Sequence, residues 1–147
     1  VRRQRQMCIR DSKNDISNYS PMAMAFLGDA VYGLLVREKL VLECNRPAGV
    51  LHTLSIKQVN AAAQAKGAKK LLSVLTQEES DVFKRGRNTH TKHTPKNQSE
   101  GDYHYATGLE TLFGYLYLLG EEKRLRELFE IINGDGVLNS ETGSDKD

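Results

Sequence analysis

Pro21-Met-Ala-Met-Ala-Phe-Leu-Gly-Asp-Ala-Val-Tyr-Gly-Leu-Leu-Val36 is sixteen residues long and holds a single charge, Asp29. Its apolar residues do not alternate with period two. Ser20-Pro21 ahead of it is a helix start, a capping residue followed by the position where proline's missing N–H costs least. The pattern predicts a helix from about Met22 to Glu43, broken by Cys44-Asn-Arg-Pro47. A helix apolar on nearly every side belongs in a core. The run is too short, with an acid at mid-span, to cross a membrane.

Working outward, the same signature returns in Tyr103-His-Tyr-Ala-Thr-Gly-Leu-Glu110-Thr-Leu-Phe-Gly-Tyr-Leu-Tyr-Leu-Leu119, where Glu110 is the only acid or base other than His104. Gly120 closes that helix and residues 121–132 supply a last one. Between the two runs a helical region is expected from about Val50 to Leu75. Ala61-Ala-Ala-Gln-Ala65 favours it and Gly67 is the expected bend or break. Thr76-Gln-Glu-Glu79 fits a capping box opening a short helix to about Arg87, and residues 88–102 read as a long loop. The fold class is therefore all-α, with one domain over residues 13–132 and a polar, disordered tail over 133–147.

The net charge of +2 excludes a globally polybasic chain, so any nucleic-acid contact has to be local. Residues 1–12 carry four Arg and one Asp, lack an apolar secretory core, and resemble a translated sequencing adaptor. They read as a non-native leader and are set aside from the fold. That leaves Cys44 alone, without a CxxC motif, which points to a reducing, cytoplasmic setting.

Burying an unpaired carboxylate is costly, so Asp29 and Glu110 must each pair, bind a cation or take up a proton. They are either structural acids satisfied by an Arg or a helix N-terminus, or ligands of a shared cation. Small residues stand one turn to either side of each acid: Ala25 and Gly33, Ala106 and Gly114. These leave room for an ion, or let two helices approach closely, or both. Hard oxygen donors without His or Cys favour Mg²⁺, with Mn²⁺ as a substitute, over zinc.

From Val82 to Ser99 there is no acid, while Lys84, Arg85, Arg87, Lys92 and Lys96 are basic. Such a segment suits phosphate contacts, with Asn88 and Asn97 as hydrogen-bond donors to ribose or base edges. Taken alone a charge run is more often a solvated loop; beside two candidate Mg²⁺ ligands the nucleic-acid reading gains. For Lys57, Lys66, Lys69 and Lys70 the solvated-face reading is the stronger. Tyr103, Tyr105, Tyr115 and Tyr117, at helical spacing, read as packing residues, and His52 and His104 have no partner at ligand spacing.

Phe26-Leu-Gly-Asp29-Ala-Val resembles the signature helix of the ribonuclease III catalytic domain, and Leu109-Glu110-Thr-Leu-Phe-Gly resembles that family's second acidic helix. With Ala63-Gln-Ala-Lys66, Phe83-Lys-Arg-Gly-Arg-Asn88, Pro95-Lys-Asn97 and Gly114-Tyr-Leu-Tyr-Leu-Leu-Gly120, the pattern is similar to the Mini-III branch, which is reduced to the catalytic domain. The resemblance spans about Pro21 to Ile132. It implies the helical ribonuclease III endonuclease fold, a homodimer, and Mg²⁺-dependent cleavage of double-stranded RNA. It implies the 23S ribosomal RNA precursor as substrate, with a ribosomal protein as a further partner, and 5′-phosphate and 3′-hydroxyl ends. By the same likeness Asp29 and Glu110 are the catalytic and metal-holding residues and Arg85, Arg87, Asn88, Lys96 and Asn97 grip the RNA, to which the charge run adds Lys84 and Lys92. Full-length members have two further acids per centre, at positions that here are Ala25 and Thr107. That departure is the best argument for the alternative, a non-catalytic RNA-binding or ribosome-associated protein of the same fold.

Overall fold

The computed structural model describes residues 15–16, 18–89 and 99–134, and their regular structure is all helix, with no strand among them. The leader, the tail beyond Gly134, and Lys92, Lys96 and Asn97 of the basic loop lie outside the described residues. Six principal helices follow in order: α1 (Pro21–Glu43), α2 (Ala48–Val59), α3 (Ala61–Leu71), α4 (Gln77–Arg87), α5 (Glu100–Leu118) and α6 (Glu122–Asn133). None of the described helices is long and apolar enough to cross a membrane.

α5 is the axle of the fold. It is buried continuously from Ala106 to Leu109 and again from Thr111 to Leu116, because α1, α3, α4 and α6 all pack on it. α1 turns Met24, Val31, Tyr32, Leu35, Val36 and Leu40 inward at helical spacing. Tyr32 stands edge-on to Phe129 of α6, with ring centroids 5.7 Å apart. Because α1 is apolar all round, its outer face leaves Phe26 86% and Leu34 62% exposed.

Local chemistry sets most helix ends. Thr76 and Glu79 form the expected capping box, and Ser99 caps α5 by accepting from Asp102 N at 3.1 Å. That cap starts α5 at Glu100, three residues ahead of the expected Tyr103. Gly120, at φ +76°, turns the chain out of α5, a conformation a side chain would strain. The break in the second helical region falls at Asn60, not Gly67: the Asn60 Oδ1 accepts from Ala63 N at 2.8 Å and opens α3. Gly67 sits inside α3 as a packing position, where a Cβ would meet Ile132 of α6. Asn133, assigned to the tail by the sequence reading, closes α6, its Nδ2 donating to Phe129 O at 2.8 Å.

Among the described residues one acid is buried in the manner of a structural carboxylate, and it is Glu79. Its oxygens accept from Thr76 N at 2.9 Å and from Arg124 Nε and Nη2 at 2.9 and 2.8 Å. Burial pushes its carboxyl up, but the Arg124 hydrogen bonds, with help from Thr76, outweigh that and hold it below the usual carboxylate range. Glu79→Gln is expected to cost about 1–3 kcal/mol in urea unfolding at pH 7, since it removes the closest charge on Arg124, which keeps Val74 O and Glu127, and weakens the cap. A carboxyl lowered on folding stabilises above its unfolded value of about 4.5 and loses that contribution as pH falls through the lowered one. The gap between wild type and Glu79→Gln should therefore shrink on going from pH 6 to pH 3.

Candidate active site

The site is made by a backbone-to-backbone crossing of α1 and α5. A Cβ placed on Gly28 would overlap the carbonyl of Glu110, and one on Gly114 would overlap the carbonyl of Met24. Two glycines thus let the helices touch at the point where Asp29 and Glu110 leave them. On the far side of α5 a further close crossing holds α4: a Cβ on Gly86 would strike Thr111, and one on Gly108 would meet Phe83. α5 is fixed from both sides, and Glu110 with it.

Asp29 and Glu110 line one cleft of about 370 Å³, together with Ala25 and Phe26 from α1, Asn60 and Gln64 at the α2–α3 break, and Tyr103 and Thr107 from α5. Ala25 and Thr107, the two positions at which the sequence resemblance would place further acids, face the same cleft without a carboxylate. Thr107 donates its hydroxyl to Tyr103 O at 3.0 Å. A larger groove of about 430 Å³, between α1 and the α5–α6 turn, offers little chemistry: its lining is mainly Val31, Leu34, Leu35 and Leu118, and its Glu38 is held by Arg126 at 2.8 Å.

The two acids differ in setting. Asp29 is exposed, contrary to the burial expected from its apolar surroundings in sequence, because its face of α1 opens onto the cleft. Glu110 is half-buried, and its carboxyl is pushed up to about 7, chiefly by burial and then by the Asp29 charge. Neither acid has an Arg, Lys or helix cap as a hydrogen-bond or ion-pair partner among the described residues, so the structural-acid reading is met at Glu79 and not here.

Gln64, only 2% exposed, turns its amide toward Glu110 and offsets part of that rise. Gln64 Nε2 has no hydrogen-bond partner among the described residues. No group of three or more His, Cys, Asp or Glu among the described residues forms a metal cluster. Two carboxylates and an open cleft nevertheless suit a hard cation such as Mg²⁺, which keeps several waters and takes one or two protein ligands.

The basic segment lies on α4 and its end. Lys84 is exposed; Arg85 donates to Tyr19 O at 3.2 Å; Arg87 Nε donates to Asn88 Oδ1 at 3.2 Å. The Arg87 guanidinium lies 5.9 Å from the Tyr105 ring centroid, and Lys69 Nζ of α3 lies 5.3 Å from the same centroid. Tyr105 therefore joins a lysine for which the solvated-face reading was stronger to an arginine of the expected RNA face. Sequence reasoning missed Gly28 and Gln64 as site-forming residues. Gly28 was visible only as part of a motif, and Gln64 only as one polar residue in an alanine run.

The Ribonuclease III domain model matches residues 22–121, which covers α1 through α5. This chain belongs to the ribonuclease III family. Within it, the chain is 44% identical over 120 residues to the Mini-ribonuclease 3 of Thermoanaerobacter sp. (strain X514), covering 82% of this chain and 84% of that protein. It is 41% identical over 123 residues to the Mini-ribonuclease 3 of Clostridium tetani (strain Massachusetts / E88), covering 82% and 81%. The X-ray crystal structure of protein FN1578 from Fusobacterium nucleatum superposes with a TM-score of 0.73 at 32% identity, covering 81% of this chain and 95% of that one. The ribonuclease III resemblance read from the sequence and the all-α fold it implied both hold, in the branch the Mini-ribonuclease 3 relatives define.

Proposed function

We propose that this chain, an endoribonuclease by family, is a Mg²⁺-dependent enzyme that cleaves double-stranded RNA in the cytoplasm. The observation that carries the reading is the convergence of Asp29 and Glu110 on one cleft at the Gly28–Gly114 crossing. Asp29 and Glu110 hold the cation, Mn²⁺ serving in its place. When bound, it supplies Lewis acidity for hydrolysis and stabilises charge developing on the phosphodiester. Water adds to phosphorus and the P–O3′ bond breaks, leaving 5′-phosphate and 3′-hydroxyl ends. Lys84, Arg85, Arg87 and Asn88, continued through Lys92, Lys96 and Asn97, hold the RNA backbone.

The substrate proposed is the 23S ribosomal RNA precursor, with a ribosomal protein on that precursor aiding selection. The exposed apolar residues along α1, Met22, Phe26, Leu34 and Val41, support a homodimer, since a second copy would cover them. The test is cleavage of a long perfect RNA duplex with Mg²⁺ or EDTA. Metal-dependent fragments with 5′-phosphate ends are expected. Duplex binding without cleavage, on naked and ribosomal-protein-bound precursor alike, would favour the non-catalytic reading.

Two expected outcomes follow from the site. Below pH 7 a proton on Glu110 competes with the cation, so Mn²⁺ affinity should fall by up to about tenfold per pH unit from pH 7 to pH 5. In the metal-free protein the same raised carboxyl stabilises the fold below its unfolded value and loses that stability as pH rises from about 4.5 to 7. Glu110→Gln should remove this slope, read as Tm against pH. On the RNA face, Lys84→Glu with Arg87→Glu should weaken duplex affinity roughly tenfold or more and flatten its salt dependence. An unchanged salt slope would remove α4 from the interface.

A further inference from the structure

Gln64 is a buried polar residue of the cleft whose setting the nuclease reading does not use. It is 2% exposed, stands on α3 one turn after Asn60 opens that helix, and reaches the cleft from a different helix than either acid. An amide donor buried without a partner costs roughly 1–3 kcal/mol, so a core position offers no reason to keep one. Leucine or methionine would fill the same volume among Ala61, Ala65 and Ala68 without that cost. The group it shares the cleft with is the Glu110 carboxylate, and Gln64 Nε2 has no other partner among the described residues.

We propose that Gln64 is a positioning residue for the cation site: its Nε2–H closes onto one Glu110 oxygen when a divalent cation engages the other. The inference rests on the reading of the Asp29–Glu110 cleft as a cation site. Its physical basis is that a ligating carboxylate has two oxygens and rotates about its last bond. A cation held by only two protein carboxylates loses affinity unless that rotation is restricted. Ala25 and Thr107 supply no further carboxylate, so orientation of Glu110 has to come from outside the ligand set. Gln64 does this with a neutral donor, which leaves the cation's charge and that of the RNA unopposed. Its burial also protects the hydrogen bond from competing water, as an exposed lysine could not.

The experiment is Mn²⁺ binding, followed by isothermal calorimetry at pH 8 without RNA, for wild type, Asp29→Asn and Gln64→Leu. Metal-free Tm and the Mn²⁺-induced rise in Tm are read alongside. Asp29→Asn is expected to abolish binding. Gln64→Leu is expected to weaken Mn²⁺ at least tenfold while its metal-free Tm stays level or rises. Wild-type affinity in Gln64→Leu overturns the proposal and leaves the cation site standing. A fall in metal-free Tm with an unchanged Mn²⁺-induced increment makes Gln64 a packing residue, which also overturns it. If wild type shows no Mn²⁺ binding that Asp29→Asn removes, the cleft reading itself fails and takes the proposal with it. Should Gln64→Leu not fold, Gln64→Met is measured in its place and judged by the same outcomes.

Discussion

Asp29→Asn is expected to lower cleavage of an RNA duplex by at least about 10³-fold, with duplex affinity preserved and the metal-free protein no less stable. The loss follows from the ligand count: among the described residues only two carboxylates face the cleft, so removing one leaves the proposed cation site with a single anionic ligand. A 10³-fold loss corresponds to about 4 kcal/mol of transition-state stabilisation, within what one metal ion supplies. Preserved stability follows from electrostatics, because the Asp29 charge helps to push the Glu110 carboxyl up to about 7, a sign of repulsion between the two. Neutralising Asp29 relieves that repulsion, and no hydrogen bond of Asp29 among the described residues is lost with it. Single-turnover cleavage, filter binding in Ca²⁺ and a thermal melt check the three parts. A variant that cleaves at the wild-type rate would end the nuclease assignment of this cleft. One that unfolds would return Asp29 to a structural role.

Gly28→Ala should be among the most destabilising single-methyl additions in the chain, at about 3 kcal/mol or more in urea unfolding. The added Cβ meets main chain, the Glu110 carbonyl, which cannot rotate aside as a side-chain tip can. Relief requires α1 and α5 to separate, and that separation also moves Asp29 away from Glu110. Gly28→Ala should therefore lose divalent-cation affinity even where enough folded protein remains to measure it. Gly49→Ala is the matched control: nothing lies within 4 Å of a Cβ there, so its stability should hold or rise by a few tenths of a kcal/mol. Equal midpoints for the two variants would show that the α1–α5 crossing yields at low cost.

The contrast between these variants marks what was legible in the sequence. The capping box at Thr76 and Glu79, the proline at the head of α1 and the turn at Gly120 are local signals that stand in the structure, whereas the Ser20 side chain makes no cap hydrogen bond. The break between α2 and α3 was misplaced, because Gly67 is a visible helix weakener, whereas Asn60 works through one side-chain cap. Small residues beside the acids were read as room for an ion or as a means of close packing. Ala25 and Ala106 do line the cleft, Gly114 serves the crossing, and Gly33 faces only the Arg37 side chain.

The acids separate the two sources of information most clearly. Two isolated carboxylates in apolar runs were visible without any structure, as was the family pattern around them. Which acid is buried was not. Asp29 is open to solvent, Glu110 is half-buried, and the most buried acid among the described residues is Glu79, in a segment whose sequence looks like an ordinary polar helix start. Helix type, caps and the isolation of a charge depend on neighbours within a few residues, so the sequence by itself determined the helices and named the two acids. Burial depends on which distant helix covers a face, and here the glycine crossing of α1 on α5 and the arrival of α3 decide it. Only the tertiary structure therefore raised the carboxyl of Glu110, brought Gln64 into the same cleft and gave Glu79 its Arg124.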